Sequence, residues 1–169
     1  NQPGSAMKPL LDYGPAIEYL NWSTGQLIVD EPYTYSDGTT INNWDRGYKG
    51  EMTIREALAD SRNIPALKTF QAVGAEKAKE FVSNLGIQFE EGPYEAYSIG
   101  GFNGLSPLQM AGAYAAFGNQ GIFNEPHIIS KIVSKDGEEI KLDIESKQAM
   151  SPATAYMAVS YTHLTLPTT

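Results

Sequence analysis

The chain has 169 residues, 41% of them hydrophobic, which is about one domain with enough apolar surface for a core and excludes global disorder. Lys and Arg number 12 against 20 Asp and Glu, a net charge of −8, so the chain lacks the basic face that nucleic-acid binding needs. Cysteine is absent, neither His127 nor His163 has a second ligand at metal spacing, and no run of about 18 apolar residues exists; the sequence argues against a metal site and excludes a disulfide framework and a membrane span.

In chain order, the turn Pro3-Gly4 leads into a helix over 5–20, with Ser5 placed to open it and Met7, Leu10, Leu11 and Ala16 on its apolar face. Residues 21–50 carry no helical period and read as a long loop with short strands, one at Leu27-Ile28-Val29; a loop of that length is usually functional or wraps something. Thr53 and Glu56 form a capping box for a short helix that ends near Asp60. Ser61-Arg62-Asn63 is a break, and Pro65 marks the first position of a helix to about Val73. After Gly74 a third helix follows, with Ala78, Phe81, Val82 and Leu85 at i, i+3, i+4 and i+7, stopped by Gly86. Residues 87–105 connect to a second capping box, Ser106 and Gln109, with Pro107 at the first helical position of an Ala-rich helix. A hairpin is expected from Ile128–Val133, the turn Asp136-Gly137 and Ile140–Leu142. Ser151-Pro152 opens a last helix. The fold class is mixed α/β, mostly helical with a small β-hairpin.

Two short motifs carry possible chemistry. Ser5 and Lys8 lie three residues apart, on one helix face. A serine hydroxyl needs a base, and a lysine amine becomes one when its pKa falls from about 10.4 towards 7–8. The alternative is a capping serine followed by a surface lysine. Ser61 and Asn63, two apart on a turn, can both face a cleft, Ser61 to relay a proton and Asn63 to hold a lysine and a substrate amide. The alternative here is that Ser61 stops one helix and Asn63 caps the next.

Together, and in this order, S-x-x-K and S-x-N resemble the penicillin-recognising serine enzymes. QPGSAMKP, NWDRGYKGEMTIREALADSRNIPA, GLSPLQMAGAYAAFGNQGIFNEPHII and the hairpin IVSKDGEEIKL resemble most closely the transpeptidase domain of class A penicillin-binding proteins, over Asn1 to Ala158. The resemblance implies the helical centre of a penicillin-binding/β-lactamase-like transpeptidase fold. It implies Ser5 as the acylated nucleophile, Lys8 as its base, Ser61 as a proton shuttle and Asn63 as a ligand of Lys8 and the substrate backbone. The implied partners are peptidoglycan stem peptides and β-lactams, with no cofactor. The implied location is the extracytoplasmic face of a bacterial membrane, reached through an anchor that precedes Asn1 together with a glycosyltransferase domain. The family's third motif, Lys-Thr/Ser-Gly on a strand, is missing; Lys68-Thr69-Phe70 has Phe in place of Gly and lies in a helix. A serine β-lactamase is the enzyme alternative, although no E-x-x-N follows Asn63, and a non-catalytic β-lactam sensor is the other.

Both ends read as cuts. From Val159 the chain runs VSYTHLTLPTT, and GTC TCT TAT ACA CAT CTG ACG CTG CCG ACG, a transposon-end sequencing adapter, translates to VSYTHLTLPT. Residues 1–158 are therefore expected to be a partial transpeptidase domain and 159–169 an adapter translation.

Overall fold

The computed structural model describes residues 2–129, 131–140 and 144–160. Its centre is a helical run in three geometries: a 3-10 turn Gly4–Met7, a π-helical stretch Lys8–Tyr13 and α1, Gly14–Leu20. The expected single helix over 5–20 is thus continuous but not uniformly α. Prolines account for the change. Pro15 has no N–H to give back along the helix, and the Gly14 N–H reaches the carbonyl of Pro9, five residues earlier, instead of four. Ser5 does not cap this run. The cap position is Pro3, and Ser5 sits inside the first turn.

Four short strands and two helices follow: β1 Leu27–Asp30, β2 Tyr33–Thr34, β3 Thr40–Ile41, β4 Gly50–Thr53, α2 Ile54–Ala59 and α3 Asn63–Val73. β1 pairs antiparallel with β4, Ile28 opposite Met52, and both side chains turn inward. The Thr53–Glu56 capping box is fully formed. α3 starts at Asn63, two residues before the expected Pro65. Proline is tolerated there because the first four N–H groups of a helix have no partner within it.

Next come α4 Ala75–Asn84, a 3-10 turn Glu95–Ile99, and α5 Pro107–Gly118 with the Ser106–Gln109 capping box in place. The chain closes with β5 Ile122–Asn124, β6 Ile132–Val133, β7 Glu139–Ile140, β8 Ser146–Gln148 and α6 Pro152–Ser160. The hairpin around Asp136-Gly137 is β6–β7, Ile132 opposite Ile140, and is shorter than expected; Ile128 and Ile129 lie outside any strand and are exposed. The end of the expected second strand, at 141–142, lies outside the described residues. β5 pairs with β8 across the hairpin, a pairing without local sequence signal.

The core forms around the first helical run. Met7, Leu10, Leu11 and Ala16 pack with Phe70, Phe81, Phe117 and Phe123 in one cluster, and Tyr13 and Ile17 pack with Ile28, Met52, Ile54 and Ala57 in a second. The run therefore has apolar neighbours on both sides, and any side chain it carries inward is removed from water. At Gly14 the backbone touches α4 so closely that a Cβ would stand 2.6 Å from the Pro9 carbonyl oxygen and 2.9 Å from the Phe81 ring. Overpacking of this kind costs about 1–3 kcal/mol, against a gain of about 0.5–1 kcal/mol from removing a helical glycine. Gly14→Ala is expected to destabilise the protein by about 1 kcal/mol or more, read as a lowered denaturation midpoint with unchanged m-value.

Candidate active site

Lys8 is wholly buried, and its ammonium donates to three oxygens: the Ser61 carbonyl at 2.7 Å, the Ser61 Oγ at 3.1 Å and the Asn63 Oδ1 at 2.8 Å. The structure thus brings together three of the four expected residues across 53–55 positions of chain. Ser5, the fourth, is exposed and lies in the 3-10 turn just before Lys8. In 3-10 geometry side chains three apart eclipse one another, so this local winding lines Ser5 up with Lys8 more directly than an α-helix does. The surface-lysine alternative is overturned by the burial of Lys8, and the capping alternatives for Ser5 and Asn63 by their places inside helical turns.

Each partner is held by its own local structure. α2 ends in a Schellman motif: Arg62 N–H bonds to the Ala57 carbonyl and Ser61 N–H to that of Leu58. Ser61 occupies the left-handed position of that motif with φ 51°, where glycine is the usual residue. A side chain there costs about 1–2 kcal/mol. Its hydroxyl and carbonyl both meet Lys8, so the strain sits on the one residue of the turn that needs a hydroxyl. Asn63 gives one amide hydrogen to the Asn42 carbonyl at 2.9 Å, and Nδ2 has a second to offer.

The turn is anchored from below by Arg62, which is buried completely. Its Nε donates to Asp30 Oδ2 at 2.8 Å, Nη1 to Asp45 Oδ2 at 2.8 Å and Nη2 to the Gly47 carbonyl at 2.5 Å. Burial works against the guanidinium charge, but the bonds to Asp45 and Asp30 outweigh it and raise its pKa. Arg62 and the Gly47 N–H hold the Asp45 carboxyl below the ordinary carboxylate range. Asn43 completes the set. Its amide donates to Asp30 Oδ1 at 2.7 Å, and its Oδ1 accepts from Asn63 N–H at 2.8 Å and Ile64 N–H at 3.3 Å, capping α3 from a distant loop.

Sequence reasoning missed Asp30, Asn43, Asp45 and Arg62. The one available signal was the long 21–50 loop, rich in Asn and Asp, facing an arginine inside the S-x-N turn. Two other parts seat the turn that carries Ser5. Tyr114 on α5 donates to the Ala6 carbonyl at 2.8 Å, and a Cβ at Gly100, φ +74°, would overlap the Gly4 backbone. The decoy Lys68-Thr69-Phe70 is structural: Lys68 pairs with Glu31 and stands over the Tyr33 ring, Thr69 bonds back to the Pro65 carbonyl, and Phe70 is in the core.

The chemistry follows from the burial. Desolvation lowers the Lys8 pKa to about 8, helped slightly by Arg62 and opposed by Asp12. An amine with pKa near 10.5 is neutral about 0.03% of the time at pH 7, and one near 8 about 10%. The site thus combines an exposed serine, a buried amine that is neutral in a useful fraction of molecules, and a second hydroxyl on that amine. Such a site can activate a serine for acyl transfer without a metal. Burying the ammonium costs stability below pH 8, by about 3 kcal/mol, and that cost fades as pH rises from 8 towards 10.5.

Such an arrangement suits acyl transfer by a lysine-activated serine. The chain belongs to the penicillin-binding protein transpeptidase family: the model of the "Penicillin binding protein transpeptidase domain" matches residues 1–161. It is 55% identical over 160 residues to penicillin-binding protein 1A/1B of Bacillus subtilis, covering 92% of this chain and 18% of that protein. It is 43% identical over 162 residues to penicillin-binding protein 1A of Streptococcus pneumoniae, covering 91% and 22%. The crystal structure of penicillin-binding protein 1A from Haemophilus influenzae superposes with a TM-score of 0.80 at 26% identity, over 95% of this chain and 29% of that one. The chain therefore spans about a fifth of the length of these curated relatives.

Two outcomes test this geometry. Ser61→Gly is expected to stabilise the fold by about 0.5–1 kcal/mol, because glycine relieves the left-handed backbone, while removing the Oγ contact to Lys8. Asp30→Ala leaves Arg62 buried with half its charge compensation and is expected to cost about 3 kcal/mol. Denaturant titration of both variants checks the pair: unchanged midpoints would mean that neither the strained turn nor the buried ion pair has the energetics assigned to it.

Proposed function

We propose that the protein carrying this chain is a serine D,D-transpeptidase that cross-links peptidoglycan stem peptides through an acyl-enzyme on Ser5. The observation that carries the reading is the buried Lys8 amine held by Ser61 and Asn63, one turn from an exposed Ser5. The neutral Lys8 amine takes the Ser5 proton as Oγ attacks the carbonyl of the D-Ala-D-Ala bond. The free N–H groups at the start of the helical run favour the negative charge that develops on the carbonyl oxygen. Lys8, now an ammonium, passes a proton through the Ser61 hydroxyl to the leaving D-Ala amine. Asn63 keeps Lys8 in place and has an amide hydrogen for the peptide backbone of the substrate. An amine on a neighbouring strand then takes the acyl group. Water in its place gives a carboxypeptidase reaction, and a β-lactam acylates Ser5 by the same first step. No cofactor or metal enters this route.

The same reading places the protein on the outer face of a bacterial membrane, with the anchor and a glycosyltransferase domain in parts of the protein outside these residues. Among the described residues no helix is long and apolar enough to cross a membrane. Residues 159–169 are kept as an adapter translation, a reading that an uninterrupted sequence of the gene past the codon for Ala158 decides. The 169 residues alone, without a Lys-Thr/Ser-Gly strand, are expected to acylate far more slowly than the complete domain. Loss of one oxyanion donor by itself costs about 10²–10³ in rate.

Labelling of the complete protein with a fluorescent penicillin tests the reading. The label is expected on Ser5, to be long-lived, and to form at a rate that rises with pH through a midpoint near 8 as Lys8 loses its proton. Lys8→Arg keeps the charge but has no accessible neutral form, so acylation is expected to fall below detection. A label on another serine, or wild-type rates in Lys8→Arg, overturns the assignment. Rapid turnover of the adduct favours a β-lactamase instead.

A further inference from the structure

One group in the centre of the fold has no part in the mechanism above. Asp12 is wholly buried, and among the described residues neither of its carboxyl oxygens has a hydrogen-bond partner. It follows Lys8 by four residues on the same π-helical stretch, between the fully buried Leu11 and the buried Tyr13. A carboxyl in such a place costs stability unless something compensates it, and a leucine would fill the position without that cost. The three donors of Lys8 are committed to Ser61 and Asn63, so Asp12 acts on Lys8 through space rather than by a bond.

We propose that Asp12 is a positioning residue for the base of the site: sealed in the same core one helical turn from Lys8, its carboxyl sets how readily Lys8 gives up its proton. This inference rests on Lys8 being the base for Ser5. The physical logic is a coupled pair. An ionised Asp12 stabilises the Lys8 ammonium and withholds the base. A neutral Asp12 lets the amine lose its proton more easily. Burial pushes the Asp12 carboxyl well above the ordinary carboxylate range, and Lys8 pulls it back.

Most other charged groups on the elements packed against this stretch are hydrogen-bonded or exposed. Arg62, from the turn before α3, acts on Lys8 but is paired with Asp30 and Asp45. On α3, Lys68 pairs with Glu31. On α1, Glu18 accepts from Ser151. On α2, Arg55 is half-buried, and Glu56 is exposed and belongs to the capping box. On the 95–99 turn, Glu95 binds Ser36 and Gln71. On α4, Glu76, Lys77 and Glu80 are exposed and Lys79 is half-buried.

The test is the pH profile of penicillin acylation in the complete protein, for the wild type, Asp12→Asn and Lys8→Arg. Asn matches the carboxyl in shape but never carries its charge. Asp12→Asn is expected to move the acid limb to lower pH by at least half a unit, because the ammonium loses its counter-charge; a role in packing alone would change stability and leave that midpoint in place. If Asp12→Asn does not fold, Asp12→Leu removes the carboxyl without leaving a polar atom behind and is read the same way. An acid limb coincident with the wild type in whichever variant folds, with Lys8→Arg inactive, overturns the role of Asp12 and leaves the transpeptidase reading intact. A wild type that is not acylated, or an active Lys8→Arg, overturns both.

Discussion

The Arg62 guanidinium between Asp30 and Asp45 is the contact on which the arrangement of the site depends. Arg62 sits between the two residues that meet Lys8, so whatever fixes its side chain fixes the turn on either side of it. Asp30 is the shared point. It holds Arg62 with one oxygen and Asn43 with the other, and Asn43 in turn caps α3 at Asn63. A buried pair of this kind is weak evidence for stability, since desolvation consumes most of the attraction. Its contribution is to geometry: few other placements of the 42–47 loop satisfy both carboxylates, the asparagine and the first N–H groups of α3 together.

The parts of the fold with local causes were legible in the sequence. Both capping boxes formed as their spacing required, because a cap involves residues three apart and little else can compete for them. The Asp136-Gly137 turn was legible for the same reason. The site was half legible. Ser5, Lys8, Ser61 and Asn63 could be singled out, but alternatives of capping and surface exposure stayed open until burial was known.

What was not legible depends on distance along the chain or on competition between rules. Asp30 and Arg62 are 32 residues apart, and nothing in either neighbourhood points to the other. Strands β5 and β8 are three residues each and find one another across a hairpin. The change of winding from 3-10 to π to α has a local cause in Pro9 and Pro15, yet the apolar period of the helix conceals it. Asp12 was hidden by context: a lone acid in an apolar helix face reads as an interruption, not as a neighbour of Lys8.

The three bonds made by Lys8 also constrain what happens when it becomes neutral. An ammonium has three hydrogens, and the site offers three acceptors: two on Ser61 and one on Asn63. A neutral amine has two hydrogens and one lone pair, so one acceptor must be released. The Ser61 carbonyl and the Asn63 Oδ1 can only accept. The Ser61 hydroxyl can rotate and donate, which makes it the partner that adapts. On the proposed transpeptidase reading, the hydroxyls of Ser61 and Ser5 then compete for a single lone pair, and the share of time that lone pair faces Ser5 scales the rate of acylation. Titration of Lys8 is in this sense a change of hydrogen-bond parity, in which losing one proton reverses the direction of a bond.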